Sequence, residues 1–442
     1  MSDHSDSNDS HELNNLDDSL DDYIAEQDIV DSFARMFANK FKARLAALRA
    51  GLSCRRSGTR RYIRRNREEA HNLLVADYFA EIPTYSDAMF RRRFRMRRPV
   101  FLRIVSALSE WSPFFTQRVD CTSRKGLSLL QKCTAAIRMM AYGTPADELD
   151  DYLKIGESTA LKCLKHFAKG VIANFAGRYL RRPTCEDVER LLQVGESRGF
   201  PDMLGSLDCM HWQWENCPVA WKGQFTRGDH GVPTLMLEAV ASYDLWIWHA
   251  FFGVAGSNND INVLNQSPLF IEELKGEAPR VQYTVNERRY NTGYYLVDDI
   301  YLEWAAFVKT IPLPQIEKDK RFAQLQEGAR KDIERAFGVL QSRFSIVRRP
   351  ARLWSRASIG NIIKACIILH NMIVEDEREM VTTPLDLNET PGSSVVLPLE
   401  MKVGGNTCFA DVLQRNAGIR DRSTHTQLKR DLVEHIWKRY GN

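Results

Sequence analysis

The chain has nine cysteines in 442 residues and no CxxC pair among them. Neither a zinc site nor a disulfide framework is therefore indicated, and a reducing, intracellular compartment is expected. No apolar run approaches the roughly 20 residues of a membrane span, so no membrane partner is expected. The N-terminus lacks the basic-then-apolar order of a secretory signal. No internal repeat is visible. Two absences of charge say more. Residues 1–34 carry eleven Asp or Glu and no Lys or Arg, whereas 35–67 carry twelve Lys or Arg and no acid. The formal net charge of +4 conceals this asymmetry.

What is present begins with those blocks. A second basic cluster, FRRRFRMRR, runs over 90–98. Basic blocks of this kind read as nucleic-acid patches or nuclear-import signals, or else as solvated helical faces. Two of them beside an acidic tail point to DNA and to the nucleus, with the tail able to shield the basic block when DNA is absent. The tail, rich in Ser, Asp and Asn, cannot bury enough apolar surface to fold. A basic amphipathic helix and linker follow at 35–76, and an all-helical region at 77–200. Pro99 suits a first helical turn. Within the helical region, 127–142 reads as a helix stopped by Gly143. A short helix at 147–153, a turn at Gly156 and a basic helix at 159–171 capped by Ser158 have the helix-turn-helix layout. Lys162 and Lys165 then become candidates for DNA contact. A plain three-helix bundle has the same spacing.

After a helical connector at 185–198 the composition changes. Segments 232–243 and 245–254 are apolar and aromatic and read as buried strands turning at Tyr243-Asp244. Further strands are expected at 282–285 and 294–297, and helices at 261–274, 330–343 and 362–374. Strands followed by packed helices predict an α/β or α+β core over 201–375. A loop and a last helix complete 376–442. Thr424 and Gln427 form a candidate capping box there, with Leu428, Leu432, Ile436 and Trp437 along one face.

Four acids have suggestive settings. Asp208 lies in GSLDCMHWQW, read as the end of a strand, and Asp298 follows the strand YYLV. Asp260 closes the loop GSNND, and Glu334 borders the apolar face of its helix. Strand-end and helical carboxylates can hold two divalent ions that act at a phosphodiester, although isolated acids in such places are common. Lys222 and Arg227, in a glycine-containing loop, could grip phosphate. Arg330 and Arg343 on the Glu334 helix are further candidates.

The blocks at 205–225, 237–264, 294–311 and 326–347, with LQKCTAAIRMMAYG (130–143) and DLVEHIWKR (431–439), resemble the plant branch of the PIF/Harbinger transposase family. The resemblance runs from about residue 77 to the end. It implies a ribonuclease H-like DDE nuclease core and a catalytic triad of Asp208, Asp298 and Glu334. It further implies Asp260 as a fourth metal ligand or a group just behind the ligands, and Mg²⁺ or Mn²⁺ as the cofactor. Double-stranded DNA would be the substrate, cut by metal-activated water, with strand transfer by the freed 3′ hydroxyl. A Myb-like DNA-binding partner and a homo-oligomer are implied as partners. Three positions depart from the family pattern: Leu302 replaces a frequent proline, Asp299 a glycine, and Gln341 a lysine seven residues beyond the helical Glu, for which Arg343 is the nearest substitute. A domesticated relative kept as a chromatin or protein-interaction scaffold is the alternative.

Overall fold

A computed structural model describes residues 39–40, 42, 63–121, 123–228, 231–277, 280–378, 395–397 and 409–441. The acidic tail, nearly all of the basic helix and linker up to residue 62, and most of the loop after 378 lie outside the described residues. Residues 1–64 and 65–442 are separate compact units. The second carries the candidate site.

Its first layer is helical. Helix α1 (Arg67–Tyr78) is capped by Asn66, and α2 (Asp87–Phe94) by Ser86. Helix α3 (Arg98–Trp111) has Pro99 in its first turn, as expected. Helix α4 (Leu129–Tyr142) opens with a Ser128–Gln131 capping box. It ends at Gly143, whose φ of 62° is the left-handed stop predicted there. A Cβ at Gly143 would also lie 2.8 Å from the Arg349 side chain. The next turn departs from expectation. Helix α5 (Leu149–Leu153) is followed by Lys154, which itself takes the left-handed conformation at φ 53°. Gly156 is extended and serves as the N-cap of α6 (Glu157–Tyr179), so Ser158 falls inside the first turn. Buried Ile155, between them, pins the turn to the core. Helix α7 (Cys185–Ser197) has its own Thr184–Asp187 capping box.

The second layer is a mixed sheet. Strand β1 (Met203–Gln213) leads through a 3-10 turn (Val219–Trp221) and α8 (Lys222–Phe225) to β2 (Thr234–Ala241) and β3 (Ile247–Ala255). The predicted helix at 261–274 is broken into α9 (Asp260–Gln266) and α10 (Ile271–Lys275). Pro268 accounts for the break, since the residue before a proline is driven out of helical geometry. Strands β4 (Arg280–Val285), β5 (Arg288–Tyr290), β6 (Tyr294–Val297) and β7 (Phe307–Lys309) follow. The five-stranded order is β3-β2-β1-β6-β7, with β3, β2 and β1 antiparallel and β1, β6 and β7 parallel. β8 (Val395–Leu397) pairs with β4 in a smaller sheet.

Helices α11 (Glu317–Arg343), α12 (Ser345–Arg348), α13 (Arg356–Arg378), α14 (Phe409–Ile419) and α15 (Arg422–Tyr440) complete the unit. Side chains alternate along β1. Ser206 points toward α11 and donates to the Ala329 carbonyl (3.0 Å). Its neighbour Leu207 packs on the opposite face with Leu264 and Leu269, around α9. Helix α13 is apolar and buried over most of its middle, from Ile359 to Val374. By length and composition it could cross a membrane, which the raw sequence obscures because Asn361 and Lys364 interrupt its apolar run. Its buried Asn371 donates to Tyr179 O (2.6 Å) and Ile247 O (2.8 Å) and accepts from Ile247 N–H (3.0 Å). That knot joins the helical layer to the sheet, and one apolar core runs from Leu74 to Val374. Helix α15 docks Leu428, Leu432 and Ile436 against Phe322 and Ala329 of α11. Its cap is Asp421, which accepts from Ser423 N–H and Thr424 N–H (3.1 and 2.9 Å), not the Thr424–Gln427 box. With the helix already begun at Arg422, the amides that Thr424 would have capped lie inside it and need no cap.

Candidate active site

Asp208 is not at a strand end. It lies in the middle of β1, which runs on to Gln213 because β2 pairs with it that far. The parallel partner stops earlier: the last β1–β6 pair is Ser206↔Leu296. Asp208 and Asp298 therefore stand at matching positions, each two residues past the same pair, where the parallel sheet opens. Gly205 makes this register workable. Its φ is 154°, a Cβ there would meet Ala241 O at 2.8 Å, and the β1–β6 register shifts between Met203 and Gly205. No L side chain fits that approach.

The other two acids arrive from the flanking layers. Asp260 is the first residue of α9, behind the cap Asn259, and is half-buried. Glu334 lies on the exposed border of α11, one residue past buried Ile333. The four are electrostatically joined. Asp208 is pushed up to about 6, chiefly by burial and then by the negative charges of Asp260 and Glu334. The Cys209 N–H (2.8 Å) and the Arg330 guanidinium pull the other way. Asp260 is raised by burial, with Asp298 and Glu238 adding to the effect. A Cys209 thiol hydrogen bond and the charge of Arg227 oppose that rise. Asp298 accepts from Asp299 N–H (2.8 Å), while Asp299 itself turns to Lys309 (3.3 Å).

Two cations stand among the acids. Arg330 pairs with Glu334 one turn along α11 (2.9 Å) and is mostly buried. Arg227 faces Asp260 electrostatically. Among the described residues no three His, Cys, Asp or Glu side chains form a ready-made metal cage. The donors are nevertheless hard carboxylate oxygens that repel one another, which is the chemistry a divalent cation relieves. One acid, Glu334, already has a counter-ion in Arg330.

The remaining candidates are dispersed. Lys162 and Lys165 are exposed on α6, and Lys222 is exposed on α8. Arg343 does not join the acids. It is mostly buried, ion-paired with Glu377 and in contact with His370. Gln341 instead reaches Met210 Sδ (3.8 Å). Sequence reasoning missed Cys209, whose thiol contacts Tyr301 Oη (3.6 Å) and hydrogen-bonds Asp260. Its only sequence signal was adjacency to Asp208. Buried Glu238, paired with His249 (3.2 Å), was also missed, since its strand reads as wholly apolar.

A family profile described as "Plant transposon protein" matches residues 177–381, and one described as a domain of unknown function matches 71–109. The chain is 24% identical over 296 residues to "Protein ALP1-like" of Arabidopsis thaliana, covering 65% of this chain and 71% of that protein. It is 21% identical over 257 residues to "Putative nuclease HARBI1" of Homo sapiens, covering 57% and 69%. The Xenopus laevis protein of that name is 22% identical over 254 residues, covering 56% and 68%. No solved structure matches the chain. The transposon profile spans the region that holds Asp208, Asp260, Asp298 and Glu334, and the relatives come from plant and animal, the animal ones being named putative nucleases, which together support a place for the chain in the Harbinger-derived transposase family.

Proposed function

We propose that the chain is a nuclear, divalent-metal-dependent DNA endonuclease built on a ribonuclease H-like DDE core. The observation that carries this reading is the matched placement of Asp208 and Asp298 past one strand pair, with Glu334 and Asp260 in electrostatic reach. The mixed strand order, three antiparallel strands continued by parallel ones, is of the kind such a core requires and supports it. Asp208, Asp298 and Glu334 would hold Mg²⁺ or Mn²⁺, with Asp260 as a fourth ligand. A bound ion would supply Lewis-acid stabilisation of charge at a double-stranded DNA phosphodiester.

The chain's own residues do the rest. Ser206 ties β1 to α11 and so fixes Asp208 relative to Glu334. Cys209 and Tyr301 orient Asp260 by hydrogen bonding behind it. Arg330 and Arg227 offset part of the four negative charges and would meet phosphate oxygens, as would the exposed Lys222. Burial and the neighbouring acids disfavour a charged Asp208, and a bound cation would favour it. Cleavage frees a 3′ hydroxyl that can attack a second DNA site in strand transfer. A Myb-like DNA-binding partner and self-association belong to the same reading.

The Arg330–Glu334 pair favours a second reading. If that pair is permanent, the chain is a domesticated scaffold that binds without cutting. A nicking assay on supercoiled DNA with Mg²⁺ or Mn²⁺ decides between them. Metal-dependent nicking that falls at least 1,000-fold in Asp208→Ala, roughly 4 kcal/mol of barrier, is the expected outcome. No nicking by wild type, with DNA binding retained, leaves the scaffold.

A further inference from the structure

Beyond the acids, β1 ends in a second constellation, of which the cleavage reading uses only Lys222. Segment 349–353 runs alongside the strand's last residues. The Arg349 carbonyl accepts the Trp212 indole N–H (2.7 Å), Ala351 N–H donates to Gln213 O (2.8 Å), and the Leu353 carbonyl accepts the Trp214 indole N–H (2.8 Å). These bonds hold Trp354 in place with its ring outward and 69% of the residue exposed. The Trp221 ring lies 6.0 Å from that of buried Trp214, and Trp221 is 45% exposed. Two large aromatic residues are thus left in solvent beside one structural tryptophan.

The charge around them is predominantly positive. Lys222, Arg348, Arg349, Arg352 and Arg356 are all exposed. The acid in contact is Glu215, paired with Arg352 (3.0 Å). Lys222, Arg348 and Arg356 have no ion-pair partner among the described residues. An exposed indole gains little from a folded duplex, whose base faces are already stacked. It gains about 1–3 kcal/mol against an unpaired base, of any sequence, while flanking cations follow the phosphates. We propose that Trp221, Trp354 and the 348–356 strip form a binding surface for a single, unpaired DNA strand. Gln213 lies five residues on from Asp208 along extended β1, roughly 17 Å at strand rise, so the surface lies beside the acids without including them.

The test uses the full chain and a fluorescein-labelled twenty-residue oligo-dT, read by anisotropy, with a duplex of equal length alongside. Trp354→Ala and Trp221→Ala should each weaken oligo-dT binding by roughly tenfold, leaving duplex binding within twofold. Arg348→Gln should lower the salt slope for oligo-dT by about 0.7. Asp208→Asn should bind oligo-dT as wild type does, which separates this surface from the cleavage reading. Circular dichroism checks that the exposed-site variants fold. Wild-type chain that ignores oligo-dT, or tryptophan variants that bind it normally, overturns the proposal. If Trp354→Ala instead converts a dimer into a monomer by light scattering with oligo-dT binding unchanged, the face is an interface between copies and the proposal falls.

Discussion

Two arginine-rich stretches of this chain look alike in sequence and have opposite fates. In FRRRFRMRR, at 90–98, Arg91 pairs with Glu377, Arg97 with Asp376 and Arg98 with Asp87. Arg93 lies over the Tyr85 ring at 3.9 Å and Arg95 over Tyr142 at 5.0 Å. Among the described residues, Arg92 alone of the six has no such contact. In RRPARLWSR, at 348–356, the arginines face solvent. The difference lies in the acids within reach. Helix α13 ends in Glu375, Asp376 and Glu377, three carboxylates at the negative pole of a helix. Arginines from the helical layer and from α11 offset them, Arg178 included (3.0 Å to Glu375). Among the described residues the second strip has a single acidic partner, Glu215 on Arg352. A basic run identifies a nucleic-acid surface only once the protein's own acids have been accounted for.

The comparison can be broken or sharpened by substitution. Glu377→Ala should have the largest effect. It removes the partner of mostly buried Arg343, which costs about 3 kcal/mol of unfolding free energy in urea titration. A loss under 1 kcal/mol would mean that the inner arginines are no more committed than the outer ones. The next effect depends on pH. His370 is fully buried and must be neutral: Nε2 donates to Leu245 O (2.8 Å), and Nδ1 accepts from Arg343 (3.3 Å). Burial, and then the Arg343 charge, push it down to about 3. The unfolded chain takes up a proton near pH 6.5 while the folded chain does not. Stability present above that value is therefore lost as pH falls toward 3, by about 1.4 kcal/mol per pH unit. Urea midpoints at pH 7, 6 and 5 should fall accordingly, and His370→Gln should flatten the trend. Arg97→Ala removes a two-pronged pair with Asp376 and should cost about 1–2 kcal/mol. Arg348→Ala closes the series. Its stability should stay within about 0.5 kcal/mol of wild type by urea titration, and a larger change would show that the outer strip is structural as well.

Much of the scaffold was legible because it rests on local chemistry. Pro99, the Gly143 stop, the buried strands and the apolar face of α15 all follow from residues read a few positions apart. The misreadings share a cause. Lys154 bent where Gly156 was expected to, and Asp421 capped where Thr424 was expected to, because each choice depends on what the neighbouring layer buries. Arg343 looked like a substitute for a missing lysine until Glu377, 34 residues on, proved to hold it. The four acids were legible through resemblance, but Asp208 was read as a strand end. The pairing that carries β1 past it involves β2, and no window of the sequence contains both.

The β1–β6 register has one more consequence. Alternation along a strand means that a slip of one residue reverses every side chain's face. If β1 moved by a single position against β6, Asp208 would pass from the α11 side to the α9 side, exchanging Glu334 for the apolar packing around Leu207. The glycine at 205 absorbs the shift that would otherwise propagate along the strand. Lengthening or shortening the chain there by one residue should leave most of the helices intact while separating the acids, so residue spacing at this turn is under tighter constraint than residue identity nearby.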